Sequence, residues 1–156
     1  MSEKFKQKQI NQVFAHIPRR TLLFWADWGL LGNFEVKTDR RGKLRIYTIE
    51  NLYRLGLVEE LTEYGFTLES IQSMLDHAWG PVPMNRKNMH IDRPRTLVES
   101  RGRYMVISRN KSGPNAFWTA EIRQEDQLWN TGFQSYLTIN LGLIMDRVDK
   151  LIREAG

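Results

Sequence analysis

The chain has 156 residues, 41% of them hydrophobic and 26% charged, which is the composition of an ordinary globular protein with one domain or two small modules. This size excludes a large multidomain enzyme, and the lack of cysteine excludes disulfides, zinc–thiolate sites, iron–sulfur clusters and cysteine nucleophiles. The net charge of +5 comes from two basic blocks, +6 over residues 1–48 and +4 over residues 80–103, around an acidic block of −5 over residues 49–79, a pattern typical of a bounded anion-binding surface.

The N-terminal segment has the spacing of two short helices. Apolar residues in the segment 5–15 predict a first amphipathic helix. A second helix is predicted over residues 19–28, because Pro18 suits a helix start and Gly29 suits a helix end. Two short helices joined by a tight turn indicate a helix-turn-helix.

A hairpin and two further helices follow this pair. Residues 34–47 alternate apolar with polar side chains around a polar, glycine-containing turn, which predicts a β-hairpin. Helical spacing then predicts a third helix over residues 49–64, capped by Thr48, and a fourth over residues 68–79, capped by Thr67.

The pattern changes after Gly80. Residues 80–95 are basic, lack periodicity and contain three of the five prolines, so they are predicted to be a linker. The region 96–134 is predicted to form a small antiparallel β-meander from three short strands, at residues 96–99, 103–108 and 116–123.

The last segment, residues 135–156, is predicted to be an amphipathic helix with the apolar spacing of a coiled-coil seam. We interpret this seam as a dimerisation surface, although the helix is short enough that it could instead pack on the predicted β-meander of its own chain. The predicted seam residues are Leu137, Leu141, Ile144, Val148 and Leu151.

Basic residues of the second helix and of the hairpin are the candidates for function. Arg19, Arg20 and Thr21 lie in the first turn of the second helix, where arginine can pair with guanine in the major groove. The predicted hairpin, residues 34–47, could act as a wing, that is, a hairpin that lies along the DNA backbone beside the helix. Its cations are the candidates for contacts with phosphates: Arg40, Arg41, Lys43 and Arg45.

Three motifs in the same order resemble the MerR-type transcriptional regulators. They are residues 20–31 with the sequence RTLLFWADWGLL, Gly42 followed by residues 45–48 (RIYT), and residues 65–71 (GFTLESI). The resemblance implies an α+β fold, with an N-terminal winged helix-turn-helix domain over residues 1–79, then the linker, the meander and a C-terminal dimerisation helix. It also implies DNA contacts from Arg20, Thr21, Phe24 and Trp25, and a wing phosphate contact from Arg45. Tyr47, which lies in the second motif, completes the DNA-binding candidates.

The expected function is therefore sequence-specific binding of double-stranded DNA by a homodimer that distorts a pseudo-palindromic promoter site for RNA polymerase. No catalytic motif, cofactor site or metal site is predicted, no membrane segment is recognised, and the expected location is the cytoplasm, on the nucleoid. The sequence identifies no small-molecule effector. Two other functions stay open, an architectural or excisionase-like DNA-binding protein and a module that binds protein or RNA.

Overall fold

The computed structural model describes residues 3–80, 94–110, 117–130 and 136–156. Most of the predicted linker, residues 81–93, lies outside the described residues. The chain divides into two compact units, the first formed by Met1–Glu60 with Leu143–Gly156 and the second by Leu61–Gly142. The domain boundaries drawn from the sequence, at residues 79, 95 and 134, stay predictions.

The first unit begins with a strand, β1 (Lys4–Lys6), and not with a helix. The helix predicted over residues 5–15 is therefore wrong at its start, and α1 covers Gln7–Val13. Phe5 belongs to the strand because it pairs with Tyr47 of the hairpin and is buried there, at 3% exposure. This pairing is a long-range contact that helical spacing cannot reveal.

The second helix, α2 (Arg19–Asp27), confirms the prediction, with Pro18 before it and Gly29 after it. The amide of Gly29 donates to the carbonyl of Ala26 at 3.0 Å, and that of Leu30 donates to the carbonyl of Trp25 at 3.2 Å. This pair of hydrogen bonds is a Schellman motif, which requires the left-handed backbone that Gly29 adopts at φ +78°. The helix therefore ends where the sequence predicts.

The predicted hairpin is confirmed as β2 (Glu35–Asp39) and β3 (Gly42–Thr48), which form a three-stranded antiparallel sheet in the order β1-β3-β2. Asp39 pairs with Gly42, so only Arg40 and Arg41 lie in the loop between the strands. The far half of the hairpin is exposed on both faces, because Val36 and Leu44 on neighbouring strands are 49% and 37% exposed. This half of the hairpin therefore projects from its sheet as a wing would.

The third helix, α3 (Ile49–Glu63), and the last helix, α5 (Leu141–Ala155), pack together within the first unit. Gly56 of α3 allows the close approach, since a methyl group added there would lie 2.6 Å from Cγ2 of Val148 and 3.5 Å from Cγ2 of Ile144. Tyr53 donates a hydrogen bond to Asp149 at 2.6 Å, and Arg147 donates to the carbonyl of Gly56 at 2.9 Å.

Replacing Gly56 with alanine is expected to lower the free energy of unfolding by about 1–2 kcal/mol, because overpacking against Val148 outweighs the better helix propensity of alanine. Urea denaturation of the full chain measures the change. The double variant Gly56→Ala/Val148→Ala is the control, since removing the Val148 methyl groups relieves the clash. Simple addition of the two single effects in that variant would contradict the packing.

The second unit contains α4 (Leu68–Trp79) and a three-stranded antiparallel sheet in the order β5-β4-β6. Its strands are β4 (Tyr104–Asn110), β5 (Phe117–Arg123) and β6 (Tyr136–Asn140). The predicted start of α4 is confirmed, because the Thr67 hydroxyl accepts a hydrogen bond from the Ser70 amide at 3.2 Å. The helix packs on β5, where Ser73 donates to the carbonyl of Trp118 at 3.2 Å.

Two predictions beyond residue 95 are wrong. The strand predicted over residues 96–99 is instead a short 3₁₀ helix at Val98–Ser100. The C-terminal helix begins at Leu141 and not at residue 135, because the preceding residues form β6, in which Leu137 pairs with Ile107. The partner strand β4 lies about 30 residues earlier in the chain, so the apolar periodicity of the last segment alone cannot predict this pairing.

Candidate nucleic-acid interface

The exposed side of α2 carries a stripe of one arginine and two aromatic rings. Arg20, Phe24 and Trp28 follow each other at intervals of four residues, which places them on the same side of a helix. Phe24 and Trp28 are 49% and 45% exposed. Their rings form an edge-to-face contact with centroids 6.0 Å apart. An exposed pair of large aromatic rings beside an arginine is suited to make stacked or edge-to-face contacts with another planar group.

The first turn of α2 supplies two cations. Arg19 and Arg20 are both exposed directly after Pro18, whose carbonyl accepts hydrogen bonds from the amides of Thr21 and Leu22 at 2.9 and 3.2 Å. Among the described residues, neither arginine forms an ion pair. Thr21 is half-buried beside them. This end of the helix therefore offers two guanidinium groups that no carboxylate neutralises within the described part of the chain.

The wing tip supplies three further cations. Arg40 and Arg41 form the loop of the hairpin and Lys43 lies at the start of β3, and all three are exposed. A cluster of exposed cations on a projecting hairpin is suited to contact the phosphates of a nucleic-acid backbone.

The base of the wing is joined to the end of α2 by an ion pair. Nη2 of Arg45 lies 2.7 Å from Oδ1 of Asp27. The guanidinium of Arg45 also lies over the ring of Phe34, 5.8 Å from its centroid. Arg45 is 19% exposed in its side chain and Asp27 is 61% exposed.

A buried asparagine organises the segment between α2 and the hairpin. Asn51 is 1% exposed, and its amide nitrogen donates to the carbonyls of Leu31 and Asn33 at 2.7 and 2.9 Å. Its amide oxygen accepts hydrogen bonds from the amide and the hydroxyl of Thr48 at 2.8 and 3.0 Å. Asn51 therefore joins both ends of the hairpin to the start of α3. Thr48, the predicted cap of this helix, contacts the helix start by donating hydrogen bonds to the Asn51 side chain.

Two predicted DNA contacts, Trp25 and Tyr47, are corrected by the structure because both side chains are buried, at 6% and 1% exposure. Trp25 lies on the inner side of α2. Tyr47 donates a hydrogen bond to Gln7 at 2.6 Å and packs its ring 4.9 Å from that of Phe34. Burial raises the pKa of the Tyr47 phenol above its usual 10.0, against the opposing effect of the Arg45 guanidinium, so the group remains a neutral donor.

The predicted dimerisation seam lies mainly inside the chain itself. Leu141, Ile144 and Val148 are buried, with Ile144 and Val148 against Gly56 of α3, while Leu151 is half-buried. Leu137 lies in β6 and not in the helix. Packing of the helix on its own chain is thus observed, but the chain element is α3 and not the meander.

A cluster of charged side chains connects the turn before α2 with α5. His16 pairs with Glu59, which is 7% exposed, and Arg147 lies 3.5 Å from both Glu59 and Glu60. These contacts join three segments of the first unit. His16 and Glu59 are 43 residues apart in the chain, and Glu59 and Arg147 are 88 residues apart, so no local pattern in the sequence indicates the pairing.

Two other kinds of feature, a metal site and a membrane-spanning helix, are absent from the described residues. Within that part of the chain, no group of three or more histidine and carboxylate side chains could hold a metal ion. The helices there are all too short or too polar to cross a membrane.

Sequence reasoning missed the two side chains that hold this interface together, Asp27 and Asn51. Asp27 carries one available signal, because it is an acidic residue inside a strongly basic block. Asn51 carries one as well, since it is a polar residue at an apolar position of a helix. Neither signal identifies the distant partners: Arg45 lies 18 residues from Asp27, and Leu31 and Asn33 lie 20 and 18 residues from Asn51.

Comparison with known proteins gives one family match. Residues 14–78 match the family model described as MerR HTH family regulatory protein. The matched range contains α2, the hairpin and α3, and therefore every part of the candidate interface described above. The chain has no significant match among curated proteins.

Proposed function

We propose, from the match of residues 14–78 to the MerR HTH family, that this chain is a DNA-binding transcription regulator. We propose further that it binds a pseudo-palindromic promoter site as a homodimer and distorts the DNA there. The observation that carries the proposal is the exposed stripe of α2, on which Arg20 is followed by the Phe24 and Trp28 rings. Such a stripe on a helix that follows a helix-turn-helix turn is suited to the major groove.

The contacts fall into two classes. Arg20 and its neighbour Arg19 can pair bidentately with guanine, Thr21 can reach a base or a phosphate, and the Phe24 ring can contact a thymine methyl group. The wing-tip cations, which are Arg40, Arg41 and Lys43, would bind phosphates and determine affinity and register more than sequence choice.

The proposed homodimer is supported by the resemblance to MerR-type regulators. It would place two copies of α2 at half-sites a whole number of turns apart, each turn being roughly 34 Å. The surface that α5 leaves accessible includes Leu143, which is 66% exposed, and the half-buried Leu151. We propose dimerisation through this part of α5, since the rest of the predicted seam is already buried against its own chain.

Distortion of the DNA would adjust a promoter for RNA polymerase. Bending or untwisting a site costs several kcal/mol, roughly 1–6 kcal/mol for a smooth bend, and the cost is offset by the additional contacts of the two wings. The cellular location implied by this role is the cytoplasm, on the nucleoid.

Selection of binding sites from a random duplex library tests the proposal directly. The full chain is incubated with the library at roughly 150 mM salt, so that non-specific attraction to phosphate is suppressed. We expect enrichment of an inverted repeat, and sedimentation velocity is expected to show a dimer on the selected duplex.

Two results would contradict the proposal. Salt-sensitive binding without an enriched sequence would favour the architectural or excisionase-like role, because such binding depends on phosphates alone. Equal competition by single-stranded RNA and by duplex DNA would favour an RNA- or protein-binding module.

A further inference from the structure

The α2 helix ends on an acidic side chain, in a block that is otherwise strongly basic. The carboxylate of Asp27 is 61% exposed, and its Oδ1 lies 2.7 Å from Nη2 of Arg45 on β3. A carboxylate next to a phosphate-binding surface normally weakens DNA binding, because like charges repel. Its position therefore needs a role that offsets this repulsion.

Arg45 is largely buried, in contrast to the exposed cations of the wing tip. Its side chain is 19% exposed, and its guanidinium lies over the Phe34 ring, 5.8 Å from the centroid. Phe34 in turn lies 4.9 Å from Tyr47, which is 1% exposed. In the described part of the chain, Nη2 of Arg45 is paired with Asp27 and Nη1 is buried without a hydrogen-bond partner. Burial, and not a shortage of donors, therefore limits how much of this guanidinium a phosphate could reach.

We propose that Arg45 and Asp27 form a clamp that holds the wing against α2. Asp27 is then a positioning residue, which affects DNA binding only through its ion pair with Arg45. The inference rests on the proposed function and deepens it. Asp27 touches no DNA in this arrangement. It fixes the angle at which the wing-tip cations leave the sheet, so that they reach the backbone beside the site that α2 reads.

The clamp has a consequence opposite to that of simple electrostatics. Asp27→Ala makes the protein more positive by one charge, and a charge effect alone would tighten binding to DNA. If Asp27 holds the wing, the same substitution weakens binding, because the wing-tip cations must be ordered at the moment of binding. The sign of the change therefore separates the two explanations.

The experiment compares Asp27→Ala with Glu35→Ala in the full chain, on the duplex selected above. Glu35 is the matched control, since it is an exposed carboxylate of the same hairpin that contacts Lys37 at 3.3 Å and Lys4 at 3.6 Å, and not Arg45. We expect Asp27→Ala to weaken binding about three- to fivefold, the range of one partly exposed ion pair, and Glu35→Ala to leave it unchanged or tighter.

Two further readouts separate positioning from general stability. Asp27→Asn is expected to recover part of the affinity, because its amide oxygen can still accept from Arg45. Hydroxyl-radical footprinting of Asp27→Ala is expected to lose protection only at the nucleotides beside the wing, while the Tm stays close to that of the unaltered chain.

Three results would overturn the inference. Tighter binding by Asp27→Ala, as large as that by Glu35→Ala, would make Arg45 an ordinary phosphate ligand. A double variant Asp27→Ala/Arg45→Ala in which the two losses simply add would show that the residues act separately. Absence of duplex binding by the unaltered chain would overturn the proposed function itself, and the inference with it.

Discussion

Replacing Asn51 with alanine is expected to lower the free energy of unfolding by about 3 kcal/mol. The side chain is 1% exposed and makes four hydrogen bonds, to the carbonyls of Leu31 and Asn33 and to the amide and hydroxyl of Thr48. The substitution leaves these groups without their partner, and each buried polar group that loses its partner costs roughly 1–3 kcal/mol before water reaches it. Urea denaturation followed by circular dichroism measures the change.

The control for this prediction is Asn33→Ala. Asn33 takes part in the same network through its backbone carbonyl, and its residue is exposed, so its substitution is expected to change the free energy of unfolding by less than about 0.5 kcal/mol. If Asn51→Ala is as stable as Asn33→Ala, the network does not hold the hairpin to α3.

Replacing Arg20 with alanine is expected to weaken binding to the selected duplex by about 1–3 kcal/mol and to relax specificity at one base position. The guanidinium is exposed in the first turn of α2, and within the described residues it forms no ion pair, so it is available for a bidentate contact with guanine. Competition with duplexes that carry single-base changes measures both effects.

Arg109→Ala provides the matched control for charge, since it removes one exposed arginine from β4 in the other unit. It is expected to change affinity by less than about 0.5 kcal/mol and to leave the base preferences unchanged. Equal losses in the two variants, uniform over all sequences, would show that Arg20 acts through net charge and not by reading a base.

The helices and the hairpin of the matched region could be predicted from the sequence because their signals are local. Pro18 and Gly29 mark the ends of α2, Thr67 caps α4, and the alternation before and after Gly42 predicts the two strands. Arg40, Arg41 and Lys43 lie at this turn and are exposed, and their role in DNA binding stays a prediction.

Predictions failed where a distant partner decides the conformation. Phe5 and Leu137 have helical spacing, but each pairs in a sheet with a residue that the chain reaches much later or earlier, Tyr47 and Ile107 respectively. Tertiary pairing overrides a weak local preference in such short segments. For the same reason, the apolar residues of α5 predicted a seam without indicating that α3 of the same chain covers it.

The sequence by itself determined the resemblance of residues 14–78 to the MerR HTH family, because ordered motifs depend only on residue identity and spacing. The tertiary structure decided which candidate side chains are exposed and which are buried or paired. It buries Trp25 and Tyr47, it exposes Phe24 and Trp28, and it commits Arg45 to Asp27. The physical reason is that burial and pairing depend on contacts between segments far apart in the chain, and neither the composition nor the periodicity of one segment contains them.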